Sequence, residues 1–445
     1  MKLRHPWGPH NGEPDQDLQY GDTPPRVSDR PDLPGAAILP ALHRRGSVPT
    51  LRSMSARVKL SGAIIALLWS GGCATGRAAP AVGSASGFVP PAVSSALKDS
   101  LSAILRAGVR DSAFPGAIAV VGTREGVQVT ASAGMLDWQN SPAPSMSTLW
   151  DLASLTKVVG LTSAMMLLVE SRRIDLDAPV QRYLPEFSGR GKEAVTVRHL
   201  LTHSSGLPAW RPLYKEAEGP EAALALAIAT PLDTVPGLRM VYSDLGAIIL
   251  GELVARVSGQ SFESFVRDRV FAPLGMQETM FRPPERLRER IAPTEVDPWR
   301  QRHLRGEVHD ENAFALGGIS SHAGLFSTAT DLVRLARMYL GGGTLDGRRF
   351  VATSTIDLFT TVQDSALSHR ALGWETPNGN NSAGRLMSKR SFGHTGFTGT
   401  SFWVDRERGV FVILLSNRVN PTREHRGITG VRTAVADAVM GAVSR

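Results

Sequence analysis

The pattern of hydrophobic and polar positions divides the chain into strand-forming ends and a helical middle. Amphipathic periodicity predicts helices, and β-branched runs bounded by polar turns predict hairpins. The predicted elements are a helix over 94–106, strands over 116–122 and 127–134, a long apolar helix over 154–171, a mostly helical region over 180–340, strands over 399–404 and 410–415, and a helix over 430–443. This order predicts an α+β fold, in which one antiparallel sheet from both ends of the chain is flanked by helices and carries an inserted, mostly helical lobe.

The first part of the chain has the features of a leader. Residues 1–53 are polar and proline-rich, a composition that predicts disorder. The alternative is that these residues are not part of the natural protein and that translation begins at Met54 rather than Met1. Residues 54–73 show the basic, apolar, small order of a secretory signal peptide, and their apolar stretch is too short to span a bilayer as a helix. A small-residue tether over 74–93 then leads to the folded domain over 94–445.

Cys73 closes the apolar stretch, where a lipoprotein signal places its acylated cysteine. The alternative is plain signal cleavage near Ala78 and Ala79. In either case we expect an exported protein of the periplasm or cell envelope, and acylation of Cys73 would make the membrane a partner through a lipid anchor. The chain has one cysteine, so it can form no internal disulfide.

Composition supports a globular protein and argues against nucleic-acid binding. The chain has 445 residues, of which 42% are hydrophobic and 20% are charged, which is enough for a sizeable core. Its formal net charge is +8, with 42 Arg and only 7 Lys. The basic residues are spread along the chain rather than clustered, so no nucleic-acid partner is predicted.

One short motif places a nucleophile next to a base. The chain contains no phosphate-binding P-loop, no His-Glu-x-x-His zinc motif and no Gly-x-Ser-x-Gly elbow. It does contain Ser154-Leu155-Thr156-Lys157, in which the serine and the lysine share one helix face. An apolar run follows Lys157, which predicts that its side chain is buried. Burial is expected to lower the pKa of Lys157 towards that of a general base.

Two later segments complete a set of three motifs. Tyr242-Ser243-Asp244 precedes an apolar helical stretch, and His394-Thr395-Gly396 precedes the C-terminal hairpin. Together with Ser-x-x-Lys they resemble the three active-site motifs of the serine β-lactamase and penicillin-binding protein superfamily, and Tyr-Ser-Asp is similar to the Tyr-x-Asn motif of class C β-lactamases and DD-peptidases. Similar segments occur at 150–157, 200–208, 273–276, 324–328 and 415–418, so the resemblance covers about 95–443.

The resemblance implies a role for each motif residue. Ser154 is expected to be the nucleophile that forms an acyl-enzyme. The base that takes its proton is either Lys157 or Tyr242, the latter as a phenolate favoured by nearby cations. The oxyanion would be bound by the backbone N–H groups of Ser154 and Phe397. Asp244, His394, Thr395 and Gly396 are the expected substrate-binding residues, and Gly396 is expected to leave room along a strand edge.

Two of these residues depart from the pattern of many β-lactamases. Asp244 replaces an asparagine, and an ionised carboxylate cannot donate a hydrogen bond to a substrate carbonyl. We expect Asp244 either to pair with Lys157 or to cap the following helix. His394 replaces a lysine, so a fixed positive charge facing the substrate is lost. Both changes favour a peptidase or esterase over an efficient β-lactamase.

The predicted function is therefore that of a serine hydrolase that cleaves an amide or ester, such as a D-Ala-D-Ala-like peptide end in a small or peptidoglycan-like substrate. The alternatives are a class C-like β-lactamase and a non-hydrolysing penicillin-binding sensor. No cofactor is predicted. The segment His309-Asp310-Glu311-Asn312, together with His322, could form a metal site of histidines and carboxylates. A structural loop beside the cleft is the preferred interpretation, because the serine mechanism needs no metal. His203 is expected to be a hydrogen-bonded structural histidine.

Overall fold

The computed structural model describes residues 91–443. The predicted leader over 1–53, the signal peptide over 54–73 with Cys73, and nearly all of the predicted tether lie outside the described residues. The first helix begins at Pro91 and so extends three residues into the segment predicted as tether.

The described residues contain twelve α-helices and twelve strands, together with several short 3-10 and π-helical segments. The α-helices are α1 Pro91–Arg110, α2 Ser163–Glu170, α3 Val197–Leu201, α4 Leu213–Glu216, α5 Pro220–Ala229, α6 Asp244–Ser258, α7 Phe262–Val266, α8 Ala272–Leu274, α9 Glu311–Ala315, α10 Ala329–Leu340, α11 Thr353–Thr360 and α12 Ile428–Val443. The strands are β1 Gly116–Thr123, β2 Val127–Gly134, β3 Trp150–Asp151, β4 Met280–Phe281, β5 Val296–Asp297, β6 Arg302–His303, β7 Leu325–Ser327, β8 Thr344–Leu345, β9 Arg348–Arg349, β10 Ser391–Thr395, β11 Ser401–Asp405 and β12 Val410–Ser416.

One five-stranded antiparallel sheet joins the two ends of the described chain. Its strand order is β10-β11-β12-β1-β2, so the C-terminal strand β12 pairs with the N-terminal strand β1. Side chains alternate across its two faces. Ile118 and Val120 pack into the large core towards the helical lobe, while Ala117 and Val121 face a second core under α1 and α12. The predicted α+β architecture is confirmed.

A buried helical run over Ala153–Glu170 forms the centre of the molecule. It begins with a 3-10 turn over Ala153–Leu155, continues as a π-helix over Lys157–Thr162 and ends as α2. Within the described residues it is the one helix long and apolar enough to cross a membrane, but 78% of it is buried inside the fold, as expected for a core helix. The hydroxyl group of Thr162 donates to the Lys157 carbonyl at 2.8 Å, so the buried π-turn keeps its polar groups satisfied.

Candidate active site

Ser154 lies at the start of the central helical run, where hydrogen bonds fix the preceding backbone. The buried Asp151 carboxylate accepts from the Ala153 N–H at 2.8 Å and from the His309 N–H at 2.7 Å. Ala153 has a φ of 46°, a region that non-glycine residues rarely occupy and that is enriched at functional sites. Ser154 itself is half-buried. The backbone therefore presents this serine at the wall of the fold in a defined orientation.

The ammonium group of Lys157 connects Ser154 to Asp244. Lys157 Nζ donates to Ser154 Oγ at 3.1 Å and to the His322 carbonyl at 3.0 Å. It also lies 2.7 Å from Asp244 Oδ1, and the two side chains of this ion pair are only 3% and 5% exposed. Ser154 and Asp244 lie far apart in the sequence, and the lysine predicted to serve the serine is the group that bridges them.

The charge state of Lys157 differs from the prediction. Burial by itself lowers the pKa of Lys157, but the negative charge of Asp244 and the contact with Tyr242 outweigh burial and raise the pKa above its ordinary value. The expectation of a lysine neutralised by desolvation is therefore wrong for the free protein. Lys157 is an ammonium ion, held in place by a buried carboxylate.

Asp244 has the pairing role rather than the capping role. The N-cap of α6 is Ser243, whose Oγ accepts from the Gly246 N–H at 3.2 Å and donates to the Pro208 carbonyl at 2.7 Å. Asp244 is the first residue of the helix. Its carboxylate is thus available to the ion pair with Lys157.

Tyr242 completes the group around Ser154. Its buried hydroxyl interacts with both Lys157 and Ser154, and its ring lies 5.0 Å from Lys157 Nζ. Burial raises the pKa of Tyr242, and the nearby Lys157 charge does not reverse this rise, so the expected phenolate is wrong for the free protein. The Tyr242 ring also packs against His203, with 4.6 Å between centroids. His203 Nδ1 accepts from the Ser243 N–H at 3.1 Å, which confirms His203 as a hydrogen-bonded structural residue.

The segment that follows β10 packs directly against the backbone before Ser154. The Thr398 hydroxyl donates to the Asp151 carbonyl at 2.7 Å, and the Thr400 hydroxyl donates to the Leu152 carbonyl at 3.1 Å. A Cβ at Gly396 would lie 2.3 Å from that same Leu152 carbonyl oxygen. Gly396 is therefore required for close packing against the nucleophile's own segment, a reason different from the expected room for substrate.

His394 is a buried, neutral imidazole. Its Nδ1 donates to the Thr395 carbonyl at 2.7 Å, which leaves Nε2 unprotonated. Burial, together with the nearby charges of Arg370 and Lys157, holds the pKa of His394 well below its ordinary value. The loss of positive charge predicted from the sequence at this position is thus a property of the folded site.

Asp310 and His322 form a layer behind Lys157 and belong to the loop predicted beside the cleft. Their side chains share a hydrogen bond of 2.9 Å, and Asp310 caps α9. The oxygens of Asp244 and Asp310 and a nitrogen of His322 lie within 4.8 Å of one another, the one such group of potential metal ligands in the described part of the chain. Since Lys157 Nζ already lies against Asp244, an ammonium ion compensates the negative charge there, and the geometry does not call for a metal.

Arg370 is the main site residue that motif analysis missed. Its guanidinium carbon lies 5.2 Å from the Tyr242 ring centroid, and it forms a buried ion pair of 3.0 Å with Glu375. The signal that singled out Lys157, a charged residue leading into an apolar run, is also present at Arg370, which precedes Ala371 and Leu372. No motif marked it, because it comes from a loop between α11 and β10.

Known proteins resemble this chain in sequence and in fold. A curated relative, a putative D-alanyl-D-alanine carboxypeptidase from Escherichia coli (strain K12), is 33% identical over 304 residues, covering 61% of this chain and 69% of the relative. A penicillin-binding protein homologue from Caulobacter crescentus has the same fold, with a TM-score of 0.64, 21% identity, and coverage of 78% of this chain and 97% of the homologue.

A class C beta lactamase structure gives a TM-score of 0.64 at 18% identity, covering 78% of this chain and 98% of the other. At these identities the two structures establish the fold alone. The sequence model of the beta-lactamase family matches residues 101–436, which is most of the chain. With the fold and the Ser-x-x-Lys site in place, the chain belongs to the beta-lactamase family, within the serine β-lactamase and penicillin-binding protein superfamily.

Proposed function

We propose that the protein is a serine hydrolase that forms an acyl-enzyme on Ser154 and cleaves an amide or ester, with a D-Ala-D-Ala-like peptide end as the leading substrate. The observation that carries this proposal is the continuous contact from Ser154 Oγ through Lys157 Nζ, at 3.1 Å, to Asp244, at 2.7 Å. The curated relatives named as putative D-alanyl-D-alanine carboxypeptidases support the choice of substrate.

In the proposed reaction, Ser154 Oγ attacks the carbonyl carbon and its proton passes to the Lys157–Tyr242 pair. Both residues are protonated in the free protein, so the pair must first lose one proton, and the two groups titrate together. The tetrahedral oxyanion is bound by the N–H groups of Ser154 and Phe397, each worth about 3–4 kcal/mol. The pair then protonates the leaving amine or alcohol, and water repeats the sequence to release the acid.

The neutral His394 favours a peptidase or esterase over a β-lactamase. A lysine at this position would face an anionic substrate with a full charge, whereas the imidazole offers only an acceptor at Nε2. A cation on a different segment, Arg370, lies beside the Tyr242 ring and is a candidate partner for an anionic substrate.

The mass of the intact protein after incubation with a fluorescent penicillin, or with p-nitrophenyl acetate, tests the proposal. Turnover of the ester or of a D-Ala-D-Ala peptide that is lost in Ser154→Ala and retained in Ser100→Ala is the expected result. Ser100 is an exposed serine of α1 whose hydroxyl bonds only its own helix, which makes it a matched control. A stable penicillin adduct without turnover would indicate a sensor, and efficient penicillin hydrolysis would indicate a β-lactamase. Equal behaviour of wild type and Ser154→Ala with every compound would refute the nucleophile.

We also propose export and a lipid anchor at Cys73, on the strength of the signal-like order over 54–73. Metabolic labelling with a palmitate analogue in a bacterial host should mark the wild-type protein and leave Cys73→Ala unlabelled. Export of an unlabelled wild-type protein would instead support plain cleavage near Ala78.

A further inference from the structure

Arg370 is a buried arginine whose hydrogen-bonding capacity is only partly used. Its side chain is 4% exposed, and Nη2 donates to Glu375 Oε1 at 3.0 Å. Nη1 is fully buried and has no hydrogen-bond partner among the described residues. A buried donor of a charged group that lacks a partner costs about 1–3 kcal/mol or more, so such a group calls for a functional explanation.

The guanidinium group of Arg370 lies beside the active-site tyrosine. Its carbon is 5.2 Å from the centroid of Tyr242, the residue that contacts Ser154. The same Tyr242 ring lies 4.6 Å from the His203 ring and 5.8 Å from the His394 ring, centroid to centroid. His394 Nε2 is also buried without a partner among the described residues. A donor and an acceptor are thus both left open beside Tyr242.

The backbone around Arg370 covers part of the free edge of β10, along which an extended substrate would lie. β10 is the terminal strand of the five-stranded sheet. Glu375 pairs with Gly393 through two backbone hydrogen bonds of 2.9 Å, and the Arg370–Glu375 turn therefore occupies that edge just before His394. An extended peptide added to the free edge beyond Gly393 would run into this turn. The last residue of such a peptide would therefore end near Arg370.

We propose that Arg370 is a specificity-determining residue that binds the carboxylate of the substrate's leaving group through Nη1, while Glu375 holds the guanidinium in place through Nη2. The inference deepens the proposed function and rests on it, since a D-Ala-D-Ala end presents such a carboxylate. Arginine suits this task because its rigid planar fork separates its donors, so that Nη2 can bond Glu375 while Nη1 is held in a fixed direction towards a second carboxylate.

A matched pair of thioesters separates carboxylate recognition from the chemistry of Ser154. Benzoylglycyl thioglycolate carries a carboxylate on its leaving group, and the thioester of thioglycolamide has the same shape without the charge. We expect the wild-type protein to show a higher kcat/KM for the carboxylate. Arg370→Gln should lower kcat/KM for the carboxylate about 10–100-fold, the effect of one charged hydrogen bond, and change the carboxamide less than threefold.

Two further variants separate this role from a purely structural one. Arg406→Gln is the matched control, since Arg406 pairs with Asp357 and is not part of the site, and it should keep the wild-type preference. Arg370→Lys should retain a reduced preference, and it carries the test if Arg370→Gln does not fold. Equal losses for both thioesters in the Arg370 variants, an undiminished preference, or a wild type that shows no preference would each overturn the proposal.

The same experiments distinguish a failure of the proposed peptidase function from a failure of the role assigned to Arg370. A wild-type protein that prefers the carboxylate thioester but leaves D-Ala-D-Ala peptides intact would refute the peptidase and keep the assignment of Arg370. If neither thioester is cleaved, thermal-shift titrations with D-alanyl-D-alanine and its carboxamide measure the same preference without turnover. Equal shifts for the two compounds would then overturn the assignment.

Discussion

Replacing Asp244 by asparagine tests the protonation state of the site most directly. The substitution keeps the shape of the side chain and removes its charge, which lies 2.7 Å from Lys157 Nζ in a buried pair. Two unit charges about 4 Å apart interact by about 4 kcal/mol at an effective dielectric constant of about 20. That energy corresponds to roughly a thousandfold change in the proton-binding constant of Lys157.

The activity of wild type should rise into the alkaline range, because the Lys157–Tyr242 pair must lose a proton and both groups have raised pKa values. In Asp244→Asn the largest influence that opposes burial is removed, so the pKa of Lys157 should fall relative to wild type. The rising limb of kcat/KM against pH should therefore move to lower pH. The maximum value of kcat/KM is also expected to fall in Asp244→Asn, because Lys157 is less firmly held in position.

Stability should change with pH in opposite directions in the two proteins. In wild type the folded pKa of Lys157 is raised, so its contribution is fully present below the unfolded value of about 10.4 and is lost as pH rises through the folded value. In the variant the folded pKa is lowered, so a penalty present at neutral pH disappears as pH rises. Thermal unfolding should show a gap of about 3–5 kcal/mol at neutral pH that narrows towards pH 11.

The control is Asp437→Asn, which removes a peripheral ion pair with Arg385 and should shift neither curve. An alkaline limb at the same pH in wild type and Asp244→Asn would show that the proton of Lys157 does not control acylation. A stability gap that stays constant from pH 7 to 11 would show that the ion pair does not set the charge of Lys157.

Three further outcomes are expected. Gly396→Ala should lower the free energy of unfolding by about 1–3 kcal/mol and abolish most of the activity, because its Cβ would lie 2.2 Å from the nearest atom. Gly430→Ala is the control: it has open space around it and should be neutral or slightly stabilising in thermal melts. The profile of kcat/KM against pH should show no change between pH 6 and 8 that arises from protonation of His394, because the pKa of this imidazole is held well below its ordinary value. Burial raises the pKa of Glu295, but contacts with His309 and Arg423 outweigh burial and lower this pKa to about 2. Glu295→Gln should therefore reduce the free energy of unfolding by at most about 3 kcal/mol at neutral pH. In acid unfolding, this difference between the variant and wild type should vanish as pH falls from about 4.5 to 2.

The sequence predicted the architecture well because its signals are local. The hairpin predicted over 116–122 and 127–134 and the strands predicted over 399–404 and 410–415 correspond to β1, β2, β11 and β12. The strand β10 was not predicted, because Ser391–Thr395 is short and contains a glycine, and its stability comes from pairing with β11. Such a strand is defined by its neighbour rather than by its own residues.

The positions of the three motifs were likewise predictable, whereas the charge states within the site were not. Burial of Lys157 follows from the apolar run after it, and burial alone predicts a neutral amine. The sign of the shift depends on Asp244, which approaches to 2.7 Å only in the folded chain. When burial and a neighbouring charge act on a pKa in opposite directions, the direction of its shift cannot be inferred from a sequence that reveals only the burial.

The two departures from the lactamase pattern fit together once Arg370 is included. Two cations lie against the Tyr242 ring, Lys157 and Arg370. Each is matched by one carboxylate, Asp244 and Glu375 respectively. A lysine in place of His394 would add a third buried cation without a partner, which is costly. A neutral histidine at position 394 is therefore consistent with a positive charge that is supplied by Arg370, on another segment. The charge that faces an anionic substrate is then carried by Arg370, on the turn whose Glu375 pairs with Gly393 of β10.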